Sequence, residues 1–199
     1  GGNKFDLEPF ETDITEQTKH VINSGGLTYD LFWKEYKHKL SFYTSAQHVD
    51  RNSYYGAQQA PNAYGKTKDL TFVGGGMYVG NFDKVLFSPA TFTAGLEYSH
   101  NNMHDIMAGY NRDLEQKVRI ASAFFQNEWK MNDFTLLAGF RLDDHNLIDN
   151  LIFSPRVNML YKPSDAFQGR LTWSTGFRAP QAYDEDLHIT AAGGEGTLI

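Results

Sequence analysis

Four arginines recur toward the end of the sequence: Arg141, Arg156, Arg170 and Arg178. Carboxylates able to pair with them stand at Glu97, Glu128 and Asp143. Such a set can form a charged wall that guides a solute or contacts a partner. It can equally be a network of salt bridges that only fixes the fold. Two clusters mix carboxylate and imidazole: Asp143, Asp144, His145 and Asp149, then Asp184, Glu185, Asp186 and His188. Hard cations such as Ca²⁺ take several oxygen ligands, but neither run has the spacing of an EF-hand loop. Acidic loops are usually just solvated, and His100, His104 and Asp105 have no metal-ligand spacing, so no metal site is assigned. The stretch RNSYYGAQQAPNAYG holds Tyr54, Tyr55 and Tyr64. Exposed rings there can grip an organic ligand by stacking and apolar contact, or can pack on neighbouring loops. Catalysis finds no support. Gly-x-Ser-x-Gly, a phosphate-binding loop and His-Glu-x-x-His are all absent, so neither an enzyme nor a cofactor is expected.

The elements that must position these residues are strands. The 199 residues include no Cys, which removes disulfides, thiol chemistry and thiolate metal sites. A net charge of −6 argues against a nucleic-acid surface, which needs clustered Lys and Arg. No run of about 18 apolar residues exists to form a transmembrane helix. The mean hydropathy is that of a water-soluble chain, but a transmembrane barrel gives the same value because wet and greasy residues alternate. The opening GGNKFDLEPF has neither the basic start nor the apolar run of a signal peptide.

Period-two patterns dominate. In 134–142, Phe134, Leu136, Ala138, Phe140 and Leu142 share one face, opposite Thr135, Leu137, Gly139 and Arg141. In 39–47, Leu40, Phe42, Thr44 and Ala46 oppose Lys39, Ser41, Tyr43, Ser45 and Gln47. In 167–177, Phe167, Leu171, Trp173 and Phe177 oppose Gln168, Arg170, Thr172 and Ser174. Weaker alternation marks 14–33, 68–80, 90–101, 115–130 and 153–162. The expectation is about eight strands.

Short turns are expected at Lys34–Lys37, around Asn81–Asp83, at Met131–Asp133 and at Lys162–Asp165. Longer polar connections are expected at 50–67, 101–114 and 143–152. Short turns on one side and long loops on the other is the outer-membrane pattern, with the short turns periplasmic. Aromatics flank every short turn: Trp33 and Tyr36, Tyr78 and Phe82, Trp129 and Phe134, Tyr161 and Phe167. Rings at headgroup level form the girdle of a membrane barrel. In that setting a charge facing lipid near the midplane costs about 2–4 kcal/mol. The arginines, recurring toward the outer half of neighbouring strands, therefore face the lumen, and a structural network is favoured over a functional wall. Eight strands with periplasmic short turns would place both ends outside, and an open sheet would leave two unpaired edges in lipid. The chain is expected to be a section of a larger barrel, with strands before and after it.

The stretch 138–180 resembles the barrel signature of TonB-dependent receptors. It carries Gly139, Arg141 and Asp143; Ser154, Pro155 and Arg156; Tyr161, Lys162 and Pro163; and Gly176, Phe177, Arg178, Ala179 and Pro180. QAYDEDLHI and HKLSFYTSAQHVDRNSYYG are similar to segments of Bacteroidetes-type receptors. AFFQNEWK resembles the family's strand with inward Gln and Glu, here Gln126 and Glu128. The resemblance implies an all-β, 22-stranded antiparallel transmembrane barrel of which 1–199 is a section. Plug domain, TonB box and closing strand are not seen in these residues. It implies an importer in the cell outer membrane, taking a scarce nutrient such as ferric siderophore, haem or cobalamin. Its implied partners are outer-membrane lipid, its own plug domain, the TonB complex and, as an accessory, a surface lipoprotein. Arg141, Arg156, Arg170, Arg178 and Glu128 become candidate lumen or plug contacts, and Tyr54, Tyr55 and Tyr64 candidate ligand contacts in external loops. The alternatives are a structural or adhesive barrel that does not import, and a passive porin.

Overall fold

Alternating apolar and polar residues make strands because successive side chains point to opposite faces, and one face can then be greasy throughout. A computed structural model of the chain describes residues 15–56 and 61–177. Eight strands form there: β1 (Thr15–Trp33), β2 (His38–Gly56), β3 (Tyr64–Val85), β4 (Ser88–Met107), β5 (Arg112–Met131), β6 (Phe134–His145), β7 (Ile152–Ser164) and β8 (Phe167–Ser174). They make one sheet in sequence order, each strand antiparallel to the next. Among the described residues β1 and β8 do not pair, so the sheet is open.

The register assigns the two faces. One cross-strand row runs Trp33, His38, Gly80, Phe92, Asn127, Ala138, Val157 and Trp173. Steps of two residues along the strands extend the same face to Leu27, Phe42, Phe72, Leu96, Phe140, Phe153 and Leu171. These large apolar side chains are uncovered, with Leu27 at 70% exposure and Leu96 at 67%. A continuous apolar surface of this size is unstable in water but suits lipid. The opposite face carries Ser24, Thr28, Ser45, Thr71, Glu97, Ser122, Arg141 and Thr172, and is the wet, lumen side.

All seven strand-borne girdle aromatics fall on the apolar face, at the short-turn end of the sheet. Trp33 stacks on His38 at 5.5 Å, and Phe134 stacks on Tyr161 at 4.5 Å. The His38 ring nitrogen meets the Tyr78 hydroxyl at 2.7 Å, so the polar atoms of this lipid-facing cluster satisfy each other.

Two expectations need correction. The second short turn is not at Asn81–Asp83. β3 continues to Val85 through a bulge between Phe82 and Val85, and the chain reverses at Leu86 and Phe87. There the Phe87 N–H donates to the Val85 carbonyl at 2.9 Å, with Leu86 at φ 62°. The turn-like composition of 81–83 is absorbed by the bulge, which tolerates an unpaired residue. Nor are 50–67 and 101–114 mostly loop, whereas 143–152 is a connection over 146–151 as expected. β1 to β5 run 19, 19, 22, 20 and 20 residues, where crossing the bilayer takes about 9–11. Paired strand therefore rises well above the apolar band. β6, β7 and β8 have only 12, 13 and 8 residues, so the wall is tall on one flank and low on the other.

Candidate functional site

On the lumen face one row brings together Tyr43, Gly75, Glu97, Ser122 and Asp143, one residue from each of β2 to β6. Tyr43 donates its hydroxyl to Glu97 Oε2 at 2.7 Å, across the whole width of β3. Gly75 makes this reach feasible. A Cβ there would lie 2.7 Å from the Tyr43 ring and hydroxyl and 2.6 Å from the Leu96 carbonyl oxygen. Arg141, two residues along β6 from Asp143, completes the set. Its Nη2 donates to Glu97 Oε1 at 2.9 Å and to Ser122 Oγ at 2.7 Å, and its Nε donates to Asp143 Oδ1 at 2.7 Å. Ser122 in turn donates to Asp143 Oδ1 at 2.6 Å. One guanidinium thus serves two carboxylates on two strands, with every bond charge-assisted.

A second network sits higher, where β2 to β5 stand above the apolar band. The Asp105 side chain is 3% exposed and lies between two guanidiniums. Arg112 Nε approaches Oδ2 at 2.9 Å, and Arg51 Nη2 approaches Oδ1 at 3.4 Å. Thr67 accepts from Arg51 Nε at 3.0 Å and donates to Asp105. Two cations around one anion tie the rising parts of β2, β4 and β5 together on the lumen side. Below it, Asn101 donates to Asp69 and Thr71.

The sequence candidates are distributed as follows. Arg141 holds the lower network. Arg156 shares with it a hollow of about 480 Å³, also lined by Asp143, Ser154, Thr172 and Ser174. Arg170 is on the lumen face but sits near the periplasmic turn, three residues into β8, rather than in the outer half of the wall. Glu128 faces the lumen low on β5 and pairs with Lys130 at 3.5 Å, not with an arginine. Arg178, Asp184, Glu185, Asp186 and His188 lie outside the described residues. Asp143, Asp144 and His145 belong to β6 rather than to a loop.

Tyr54 and Tyr55 end β2, and Tyr64 begins β3. Tyr54 is 1% exposed and packs on Tyr64 with ring centres 4.7 Å apart, while Tyr64 keeps 46% of its surface open. Alternation sends Tyr55 to the opposite face. Among the described residues no group of three or more His, Cys, Asp or Glu is arranged to hold a metal. Sequence reasoning missed Tyr43, Gly75, Ser122, Arg51 and Arg112. Alternation placed Tyr43 on the wet face, but nothing in the order of residues says that β2, β4 and β6 meet there.

Comparisons with known proteins match this architecture. Residues 2–195 match the family model described as TonB dependent receptor-like, beta-barrel. No curated protein matches the chain. Among solved structures, the siderophore receptor PirA from Pseudomonas aeruginosa superposes with a TM-score of 0.70 at 19% identity, over 84% of this chain and 28% of its own. A variant of the ferric enterobactin receptor PfeA from Pseudomonas aeruginosa, in complex with enterobactin, gives 0.68 at 18% identity, over 83% and 27%. BauA, the ferric preacinetobactin receptor from Acinetobacter baumannii, gives 0.54 at 9% identity, over 75% and 29%. This chain spans under a third of the length of each. The match across nearly its whole length shows that the chain belongs to the TonB-dependent receptor-like β-barrel family, a family of the outer membrane.

Proposed function

We propose that this chain is a wall section of an outer-membrane importer for a ferric chelate of the siderophore class. The observation that carries the reading is the family match over residues 2–195. The structural neighbours PirA, PfeA and BauA, each a receptor for a siderophore or ferric siderophore, point to the cargo class. The wall itself is consistent with that cargo. Ferric chelates commonly carry net negative charge, and the collar places Arg51 and Arg112 on the lumen face of the wall. Haem or cobalamin is the second cargo class, and would lean on ring stacking at Tyr55, the tyrosine that alternation puts on the lumen side.

The remaining machinery is supplied by chain outside these residues: a plug that fills the lumen and a contact for the energising TonB complex. Arg141 and Arg156 border the hollow on which such a plug would rest. The test uses the full receptor in its own cells under iron limitation. Deletion should abolish growth on one ferric chelate and leave growth on simple iron salts at high concentration intact. Arg51→Gln with Arg112→Gln should weaken binding of that chelate about tenfold or more, since each removes a charge-assisted contact. Undiminished uptake of every chelate, haem and cobalamin after deletion would favour a barrel that does not import.

A further inference from the structure

The lumen-facing arginines and lysines of β2, β5 and β6 each have a carboxylate beside them. Lys39 meets Asp30 at 3.0 Å, and Lys130 meets Glu128 at 3.5 Å. Arg51 and Arg112 share Asp105, and Arg141 spans Glu97 and Asp143. Arg156 on β7 has no carboxylate within salt-bridge distance among the described residues. Its place in the sheet explains this. Its row runs Thr93, Gln126, Gly139, Arg156 and Ser174. β6 and β8 flank it, so its direct neighbours on the wall are all described, and they offer a glycine and a hydroxyl. One row away, Arg141 stands opposite Ser154. There Asp143 is already taken: it accepts from Arg141 Nε at 2.7 Å and from Ser122 Oγ at 2.6 Å.

The Arg156 guanidinium borders the hollow of about 480 Å³. Gly139 helps keep that space open. A Cβ there would lie 2.5 Å from the Phe125 carbonyl oxygen and 2.6 Å from the Gln126 Cβ, so the position admits no side chain. Ser154, Thr172 and Ser174 line the hollow with hydroxyls. Asn158 Nδ2 donates to Thr172 Oγ1 at 2.7 Å, which leaves the Thr172 hydroxyl proton free to donate in turn. The hollow thus offers one uncompensated fork of N–H donors and three O–H donors. A carboxylate matches a guanidinium fork with two parallel bonds. The volume is that of a site for a small organic ligand, where a single side-chain carboxylate would leave most of the space wet. We propose that this hollow binds a carboxylate of the anionic cargo as it passes the wall, with Arg156 as the binding charge. The identity of the ligand as cargo rests on the import reading; the anion chemistry of the hollow does not. A plug lying over the hollow at rest would give it up to the passing cargo.

Two measurements on the full receptor separate the site from its use. In phosphatidylcholine nanodiscs, phenylglyoxal modifies accessible arginines, and mass spectrometry reads the labelling rate of each. Citrate, a tricarboxylate, is the probe. Arg156 should label faster than Arg141, and millimolar citrate should slow its labelling about fivefold or more. Sodium chloride at equal ionic strength should not. An Arg156 that does not label, as under a fixed plug contact, or whose labelling ignores citrate or responds equally to chloride, overturns the proposal. In cells, Arg156→Gln should lower the maximal rate of ferric-chelate uptake about tenfold, and Arg156→Lys about threefold. Binding of the chelate to de-energised cells should stay within about twofold. Lys162→Gln, which removes a turn cation paired to Asp165 at 3.0 Å, should leave uptake unchanged. Equal loss of uptake for an anionic chelate and its neutral ester would make Arg156 a plug contact and overturn the proposal. If the parent takes up no ferric chelate, the import reading fails, and citrate protection alone decides whether the anion site stands.

Discussion

Gly75 shows how one missing side chain organises several strands. Its place is taken by the Tyr43 ring, which crosses β3 to reach Glu97 and so joins the Arg141 network. Gly75→Ala should push Tyr43 away and cost about 1–3 kcal/mol, from overpacking and the lost charge-assisted bond. Tyr43→Phe removes the same bond without crowding. If the bond is what Gly75 protects, the double variant should be less destabilised than the sum of the singles, measured by unfolding in bilayers. Strict additivity would show that the glycine serves only close strand approach to the Leu96 carbonyl. Asn127 gives a prediction of opposite sign. It lies on the lipid-facing side, only 3% exposed, and both its amide atoms are buried without a partner among the described residues. Such a group carries a desolvation cost with no bond in return. Asn127→Leu should raise stability by about 1–2 kcal/mol, and a lower unfolding midpoint would contradict that.

At the scale of elements, alternation was readable wherever the two faces meet different solvents. The segment 134–142 was assigned correctly residue by residue because β6 has lipid on one side and a wet lumen on the other. The rising parts of β2 to β5 resemble loops in sequence for the same physical reason inverted. Above the membrane both faces are wet, so Asn52 with Ser53 and Lys66 with Thr67 show no contrast, although Asn52 pairs with Lys66 and Arg51 with Thr67. The collar of Arg51, Asp105 and Arg112 was invisible with them, since its members come from β2, β4 and β5. The first turn is legible in position but not in strain. Lys34, Glu35 and Tyr36 all adopt left-handed backbone, at φ 49°, 56° and 65°. Each such residue costs about 1 kcal/mol or more without a glycine. Glu35→Gly should therefore stabilise the barrel by about 0.5–1 kcal/mol in equilibrium unfolding. A loss of stability would mean that the Glu35 side chain holds the turn by contacts that outweigh the backbone strain.

For the whole molecule, the decisive property is that one sheet separates two solvents, and this can be tested at two positions of one strand. Leu96 and Thr93 both belong to β4, but the register puts Leu96 beside Gly76 on the lipid face and Thr93 beside Val79 and Gln126 on the lumen face. Leu96 is 67% exposed, a burden in water and a gain in hydrocarbon. Leu96→Arg places a guanidinium in the apolar band and should cost about 2–4 kcal/mol near the midplane. Thr93→Arg places the same charge in a wet lumen lined by Glu128 and Gln126, and should cost under about 1 kcal/mol. Equilibrium unfolding in phosphatidylcholine bilayers measures both. The difference should shrink when the comparison is repeated in a zwitterionic detergent, whose thin belt lets the Leu96→Arg guanidinium reach water. A Thr93→Arg cost as large as that of Leu96→Arg in bilayers would mean that the two faces are misassigned, and the lumen position of Arg141 and its network would fall with them.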